Sequence, residues 1–287
     1  MSLAGGAGLF WVIGLVGCDE PAAEAEGTCA LADAPELIVA RSIKIGIADD
    51  AGVSVGFDLD GEATAENATT GCGIGDYISA DGRQGIDNAF SRIVPTLNAT
   101  EAKVETIEGL VQDTINNGEL LIAFEVGGVD DWGEDSCVAV EVAQAEGEAM
   151  LGTDGLLLDG QTFDREMDAP TAALDNAQIG DGVLRGDNLS IDLPVQVLNA
   201  ALTLPLRSGK LEIMPDGDDL YRGVLAGAIS AVYLLEVAST ENVDPLVADL
   251  LGTVVGVNAD LPDEAGNTCA AMSMTLTFEG VGAYYYE

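Results

Sequence analysis

The chain has 287 residues, of which 10 are Lys or Arg and 50 are Asp or Glu, so its formal net charge is −40. A charge of this size repels phosphate backbones, which excludes nucleic acid as a partner. The sequence contains no histidine, and this excludes Ser-His-Asp and Cys-His mechanisms as well as histidine metal ligands. Because 48% of the residues are apolar, the composition predicts a folded protein with an acidic surface.

The N-terminal segment has the pattern of an export signal. An apolar run over residues 9–17 precedes Cys18, and the first charged residue is Asp19. This run is too short to span a bilayer but fits the apolar region of a signal peptide, although no Lys or Arg precedes it. Residues 19–28 (DEPAAEAEGT) are small and acidic, which predicts a short tether before the folded domain.

The tetrad LVGC at residues 15–18 resembles the lipobox of bacterial lipoproteins. In that family the signal peptide, here residues 1–17, is cleaved off and the cysteine is acylated, so the resemblance implies a lipid on Cys18. With the segments GFDLDG (56–61) and DGRQGIDN (81–88), the chain is similar to exported lipoproteins of gliding and predatory Gram-negative bacteria. That group has no established activity. The resemblance implies a membrane partner through the lipid anchor, and an outer-membrane lipoprotein of the cell envelope that faces the periplasm or the cell surface.

Alternation of apolar and polar residues dominates the rest of the chain and predicts half-buried strands. The segments with this pattern are Val39–Ile47, Val53–Leu59, Val138–Val142, Leu189–Val197, Leu202–Leu206, Leu211–Ile213 and Met272–Phe278. Pro194 and Pro205 lack the N–H group that a ladder needs, which predicts edge positions or bulges for both. The acidic stretch Asp130–Asp135 predicts a hairpin loop between two strands.

Helical periodicity is present in three segments. Residues 100–117 predict a helix with its cap at Thr100, and residues 244–255 predict a second helix. A shorter helix begins at residue 87 or 88 and is disturbed at Pro95. Strands outnumber helices, so we expect one mainly β domain over residues 29–287: an antiparallel β-sandwich or a large curved sheet with two or three packed helices.

Apart from Cys18, the chain has four cysteines, Cys29, Cys72, Cys137 and Cys269. Four cysteines in an exported chain predict two disulfides, with three possible connectivities. The alternative, a four-thiolate zinc site, usually has close pairs of cysteines, which are missing here. Cys29 precedes the first predicted strand and Cys269 the last, and chain ends often lie close together. We therefore expect Cys29 to pair with Cys269, and Cys72 with Cys137.

The segment 58–88 is rich in aspartate and glycine. Asp58 and Asp60 are two apart in a predicted strand, so both carboxylates are expected on one face. The other candidate metal ligands of the segment are Asp76, Asp81, Asp87 and Asn88. Calcium takes about six to eight oxygen ligands, often from glycine-rich loops. The segment loosely resembles the aspartate-rich calcium loops of extracellular proteins, so calcium is the predicted cofactor. The alternative is a solvated acidic turn.

No motif of the sequence assigns a catalytic residue. The pattern favours a non-catalytic, lipid-anchored envelope protein with a structural, adhesive or accessory role, whose protein or glycan partner is undetermined. One alternative is a carboxylate-based polysaccharide hydrolase, which requires two carboxylates facing each other across a cleft. The other is a carrier of apolar ligands, which requires an apolar cavity of about 300 Å³ or more.

Overall fold

The computed structural model describes Cys29, Leu31 and residues 35–286, apart from residues 70, 100–102, 198–199, 239–254 and 264. The first six strands are β1 (Glu36–Ile45), β2 (Tyr77–Ile78), β3 (Gln84–Ile86), β4 (Leu121–Gly127), β5 (Ala139–Glu146) and β6 (Thr162–Arg165). The other strands are β7 (Ala172–Ala173), β8 (Asp175–Gly180), β9 (Val183–Val197), β10 (Ala200–Pro215), β11 (Leu220–Ser230) and β12 (Ala271–Tyr285). The helices are α1 (Phe90–Asn98), α2 (Val104–Asn116) and α3 (Ala231–Ala238). The predicted signal peptide, Cys18 and the predicted tether lie outside the described residues.

Ten of these strands form one mixed sheet, in the order β1-β4-β5-β6-β12-β11-β10-β9-β8, with β7 paired to β5. β12 pairs antiparallel with β11 and β1, and its last residues pair parallel with β6. The pairings therefore form a circuit through β12, β1, β4, β5 and β6, from which β11 to β8 continue. This confirms the predicted mainly β fold with a large sheet and packed helices.

The core of the sheet includes one strand that alternation does not reveal. β4 has the sequence LIAFEVG and is buried along its whole length, because it lies between β1 and β5 and is covered on both faces. Such a strand has a continuous apolar run instead of an alternating pattern. Its Phe124 stacks on Phe278 of β12, with 4.6 Å between the ring centroids, and this contact joins two parts of the sheet.

The polar face of β12 is also buried. Alternation predicts that Ser273 and Thr275 face solvent, but both side chains are fully buried. The Gly46 N–H donates to the Thr275 carbonyl at 2.8 Å, and the Ala89 N–H donates to the Ser273 hydroxyl at 2.7 Å. The chain around residue 46 and the start of α1 thus cover this face, and they bring the aspartate-rich segment onto the central strand.

The segment Val53–Leu59 is not a strand, which corrects the prediction from its alternation. The part of it that pairs does so through isolated bridges, of which one joins Phe57 to Asp87. Gly52 and Gly56 have φ values of 79° and 141°, a region that is open to glycine but not to regular strands. The segment is therefore an irregular connection that crosses the sheet.

Two of the predicted helices are found and one lies outside the described residues. α2 ends at Asn117-Gly118 as predicted, whereas the N–H of Val104 donates to the side chain of Asn98 at 3.0 Å. The predicted cap Thr100 is outside the described residues, as is the helix predicted over residues 244–255, except for Val255. α1 continues past Pro95 to Asn98, because a proline removes a single donor so near the end of a helix.

The prolines and the acidic hairpin lie where the sequence places them. Pro194 pairs with β10 beyond the residues of β9 that pair with β8, and Pro205 pairs with β9 beyond the residues of β10 that pair with β11. In this half of the β9-β10 hairpin, the pairings of the described residues join each strand to the other alone, so both prolines are at edge positions. Asp130–Asp135 lies in the loop between β4 and β5.

Candidate metal centre

Asp58 and Asp60 lie in a tight turn that follows the buried Phe57. The carboxylate of Asp58 accepts the N–H of Gly61 at 2.6 Å, and that of Asp60 accepts the N–H of Glu62 at 2.8 Å. Gly61 has a φ of 83°, which lets the chain reverse here. The two carboxylates therefore lie on one side because of the turn. The prediction that they share the face of a strand is wrong.

Asp87 reaches this turn from the opposite side. Its N–H donates to the Phe57 carbonyl at 2.9 Å, and its carboxylate accepts the Leu59 N–H at 2.6 Å. The residue is 2% exposed. One carboxylate oxygen from each of Asp58, Asp60 and Asp87 lies within 4.8 Å of the others. These three side chains, named here the carboxylate trio, can hold a metal ion.

Burial raises the pKa of the most enclosed member of the trio. The pKa of Asp87 rises to about 8, chiefly because burial penalises its charged form, and the nearby Asp260, Asp60 and Asp76 raise it further. The hydrogen bond from Leu59 opposes this shift but does not cancel it. A bound cation favours the ionised form of Asp87, because the cation replaces the lost hydration of the carboxylate.

Two further aspartates surround the trio without belonging to it. Burial raises the pKa of Asp76, whose carboxylate accepts the Thr64 N–H at 2.5 Å. Burial also raises the pKa of Asp260 to about 6, and the Ser273 N–H donates to its carboxylate at 2.8 Å. Sequence reasoning did not select Asp260, because it follows the trio by more than 170 residues and no metal-binding spacing includes it.

The other predicted ligands have partners elsewhere. Asp81 accepts hydrogen bonds from the Ser79 hydroxyl and the Arg83 guanidinium, and the structure does not place it in the trio. The side-chain amide of Asn88 donates to the Gly46 carbonyl at 2.8 Å and to the Ser54 hydroxyl at 3.0 Å. Of the six predicted ligands, the structure thus brings together the three of the trio, with Asp76 beside them.

One cation approaches the trio. The ammonium of Lys210, on β10, donates to the backbone carbonyl of Asp58 at 2.8 Å. This contact fixes the turn against the sheet and offsets part of the local negative charge. The hydrogen bond goes to the carbonyl, so the side chain of Asp58 remains available to a ligand.

All four cysteines of the domain form disulfides, but the predicted connectivity is wrong. Cys29 pairs with Cys137, and Cys72 pairs with Cys269. The first bond attaches the start of the domain to the β4-β5 loop, and the second attaches the aspartate-rich segment to the start of β12. Sequence separation does not reveal such contacts, because they depend on how the segments cross the sheet. Two disulfides indicate an oxidising, extracytoplasmic location.

The chemistry of the trio suits a hard cation. Its ligand atoms are carboxylate oxygens, and calcium and magnesium prefer oxygen ligands whereas zinc and copper prefer nitrogen and sulfur. Three carboxylates provide three to six oxygens, depending on whether each binds through one atom or two. The paired cysteines offer no thiolates to a softer metal.

The described residues line several surface clefts that are open to small molecules. One, of 280 Å³, is lined by Ile47, Val53, Ser54, Val55, Gly56, Ser79, Ala80, Asp81, Arg83, Glu212 and Val224. A second, of 370 Å³, contains Glu134 and Asp135, and a third, of 350 Å³, lies beside Tyr233. Hydrogen bonds to the charged forms lower the pKa values of Asp81 and Asp135, which is the opposite of what a general acid requires.

Within the described residues, no helix is long and apolar enough to cross a membrane. Comparisons of the chain with models of known protein families, with curated proteins and with solved structures find no match.

Proposed function

We propose that this chain is a lipid-anchored, non-catalytic protein of the cell envelope that binds calcium at Asp58, Asp60 and Asp87. The observation that carries the calcium site is the close approach of three carboxylates, one of them buried, in a domain with a large negative charge. The tetrad LVGC and the two disulfides support export and anchoring.

Calcium fits this position better than magnesium for a geometric reason. Calcium accepts irregular coordination with about six to eight oxygens, whereas magnesium requires a nearly regular octahedron and keeps several waters. The trio consists of two turn carboxylates and one buried carboxylate, and each of them already accepts a backbone N–H. Such ligands are fixed in position, and calcium adapts to them more readily. The role of the bound ion is structural, because it joins the turn at residues 58–61 to the start of α1.

The proposal is tested by thermal unfolding of the purified domain in calcium and in magnesium at matched ionic strength. Calcium that binds the folded state alone stabilises it by RT ln(1 + [L]/Kd), which is about 2.7 kcal/mol at one hundred times Kd. The melting temperature is expected to rise with calcium and to rise much less with magnesium. The double variant Asp58→Asn/Asp60→Asn is expected to lose the calcium response.

A control variant separates coordination from the general screening of negative charge. Asp159→Asn/Asp168→Asn removes two exposed carboxylates and changes the net charge by the same amount. This variant is expected to respond to calcium as the wild type does. Equal shifts with both ions, or an unchanged response of the double variant at positions 58 and 60, contradict the calcium site.

The 280 Å³ cleft favours a second candidate function, the carriage of a small apolar ligand. Ile47, Val53, Val55 and Val224 contribute apolar surface to this cleft, and Asp81, Arg83 and Glu212 contribute charged groups; apolar walls with a few polar groups are the usual composition of a small-molecule site. Titration with a fluorescent medium-chain fatty acid tests this function. Binding that Val55→Glu abolishes supports it, and no binding by the wild type contradicts it.

A further inference from the structure

We propose that the Cys72–Cys269 disulfide positions the carboxylate trio, and that a dithiol reduces this bond before it reduces Cys29–Cys137. Cation binding at the trio then depends on the oxidation state of this one bond. The inference rests on the proposed calcium site and adds a regulation to it.

The disulfide joins the two segments that surround the trio. Cys72 lies in the turn Gly71–Gly73, inside a loop that closes where Asp76 donates its N–H to the Thr64 carbonyl at 2.9 Å and accepts the Thr64 N–H. Asp76 is close enough to raise the pKa of Asp87. The loop that carries Cys72 therefore adds a negative charge next to the trio.

Cys269 belongs to the segment on the other side. The next residue, Ala270, donates its N–H to the Leu261 carbonyl at 3.0 Å, and Leu261 follows Asp260. The carboxylate of Asp260 lies close enough to Asp76 and Asp87 for each to affect the pKa of another. The disulfide is thus a covalent link between two acidic segments that face each other.

Like charges explain why this link affects binding. The carboxylates of Asp58 and Asp60 raise the pKa of Asp76, so these ionised groups repel one another. The covalent bond keeps the segments together against this repulsion, so the trio retains its geometry before the ion arrives. Ligands that are already in position bind more tightly, because binding does not have to order them.

The backbone distinguishes this disulfide from the other. Cys72 and Cys269 have φ values of 63° and 57°, whereas Cys137 of the other bond does not have a positive φ. The other non-glycine residues with positive φ in the described chain are asparagines, aspartates and one serine, at Asn67, Asn176, Asp181, Asn188, Ser208 and Asp219. The left-handed region is unfavourable for cysteine, so both halves of this bond are strained. Cys269 is exposed, and so is Cys137, so the backbone strain and not the exposure makes the Cys72–Cys269 bond the more readily reduced.

The reduction is a thiol–disulfide exchange with a dithiol as the reductant. A thiolate of the dithiol attacks the Cys269 sulfur, forms a mixed disulfide and releases Cys72 as a thiolate. The second thiol of the reagent then closes its own disulfide and releases Cys269. Two electrons and two protons pass from the dithiol to the protein, and both cysteines can leave the left-handed region.

The first measurement follows the order of reduction. The native protein is incubated with limiting dithiothreitol, free thiols are alkylated, and the labelled peptides are identified by mass spectrometry. Labels are expected on Cys72 and Cys269 well before Cys29 and Cys137. Simultaneous labelling of all four cysteines, or earlier labelling of Cys29 and Cys137, overturns the inference.

The second measurement compares calcium affinity by calorimetry. The partly reduced and alkylated protein, which retains Cys29–Cys137, is expected to bind calcium about tenfold more weakly than the oxidised protein. The variant Cys72→Ser/Cys269→Ser is expected to match it, and the control Cys29→Ser/Cys137→Ser is expected to keep the wild-type affinity. The alkylated wild type serves if the first variant does not fold.

The outcomes separate the two proposals. Equal calcium affinity in the oxidised and the partly reduced protein overturns the regulation and leaves the calcium site standing. Equal losses in both double variants also overturn it, because the effect is then general destabilisation. An oxidised wild type that does not bind calcium overturns the calcium site and the regulation together.

Discussion

Asp260 is buried in the fold, and this burial disfavours the ionised form of its carboxylate. It is 5% exposed, and its two carboxylate oxygens accept the N–H and the hydroxyl of Ser273. These hydrogen bonds favour the ionised form, but burial has the larger effect and raises the pKa to about 6. The residue therefore anchors the buried polar face of β12 and at the same time makes stability depend on pH.

The sign of this dependence follows from the two pKa values of Asp260. The unfolded chain loses the proton near the ordinary aspartate pKa of 3.8, whereas the folded protein keeps it up to a pH of about 6. Between these limits the folded state binds more protons, so its stability falls as the pH rises, by at most about 1.4 kcal/mol per pH unit. Asp87, with a pKa near 8, acts in the same direction over a wider range.

We therefore expect the free energy of unfolding of the Asp260→Asn variant to depend less on pH than that of the wild type. In urea unfolding with a chelator present, the decrease in the free energy of unfolding between pH values of about 4 and 7 should be smaller by roughly 2–3 kcal/mol. Asparagine can still accept the Ser273 N–H, which keeps the contact with β12.

A neighbouring aspartate provides the control. Hydrogen bonds from Asn267 lower the pKa of Asp263, so this residue stabilises the fold above its unfolded pKa, and that stabilisation is lost as the pH falls. In the Asp263→Asn variant, the free energy of unfolding should still decrease as the pH rises above about 4, as it does in the wild type. The same pH profile for Asp260→Asn and the wild type contradicts the assignment to Asp260.

At the scale of elements, β11 and β12 approach each other closely because of a glycine. Gly223 pairs with Phe278, and a Cβ atom placed on this glycine would lie 2.0 Å from the phenylalanine ring. The absence of a side chain lets the ring lie across β11 while it stacks on Phe124 of β4. This contact joins β12 to the strand that is buried along its whole length.

Gly223→Ala is expected to destabilise the domain by about 1–3 kcal/mol, because the added methyl group overpacks the core and displaces Phe278. The matched variant is Gly109→Ala in α2, where a Cβ atom meets nothing within 4 Å. That substitution should stabilise the helix by about 0.5–1 kcal/mol. Chemical denaturation of both variants checks the pair, and a neutral Gly223→Ala is the result that rejects this packing.

At the scale of the whole molecule, the net charge of −40 gives a physical reason for the proposed lipid anchor. A chain with this charge is repelled by anionic surfaces, which opposes binding to a membrane through the protein surface alone. A covalent lipid removes this difficulty, since each buried CH₂ group adds about 0.8 kcal/mol of membrane affinity. Under this hypothesis, attachment through Cys18 would leave the acidic domain in the surrounding solution.

Cys18→Ser is expected to move the expressed protein from the detergent phase to the aqueous phase in phase partitioning. Mass spectrometry of the wild type should find an acylated N-terminal cysteine and no residues 1–17. A wild-type protein that remains aqueous and keeps those residues contradicts the anchor. Cys29→Ser/Cys137→Ser serves as the control, because it alters cysteines without altering the tetrad LVGC.

The sequence by itself determined the properties that depend on composition and on local period. Alternation predicted β1, β5, β9, β10 and β12, because the side chains of a half-covered strand must differ on its two faces. Helical period and the Asn117-Gly118 stop predicted α2, and proline chemistry placed Pro194 and Pro205 beyond the main ladders. The pairing of four cysteines was predicted from the number that remains when Cys18 is set apart as the lipidation site.

The tertiary structure alone decided which distant segments meet. β4 was missed because a strand covered on both faces has no alternation, and Val53–Leu59 alternates but cannot pair regularly beside its glycines. The structure pairs Cys72 with Cys269, which differs from the predicted pairing, and it brings Asp260 close to the trio. Both results depend on contacts made across β12. Such contacts depend on how whole segments pack against one another, and a local pattern of residues does not predict this packing.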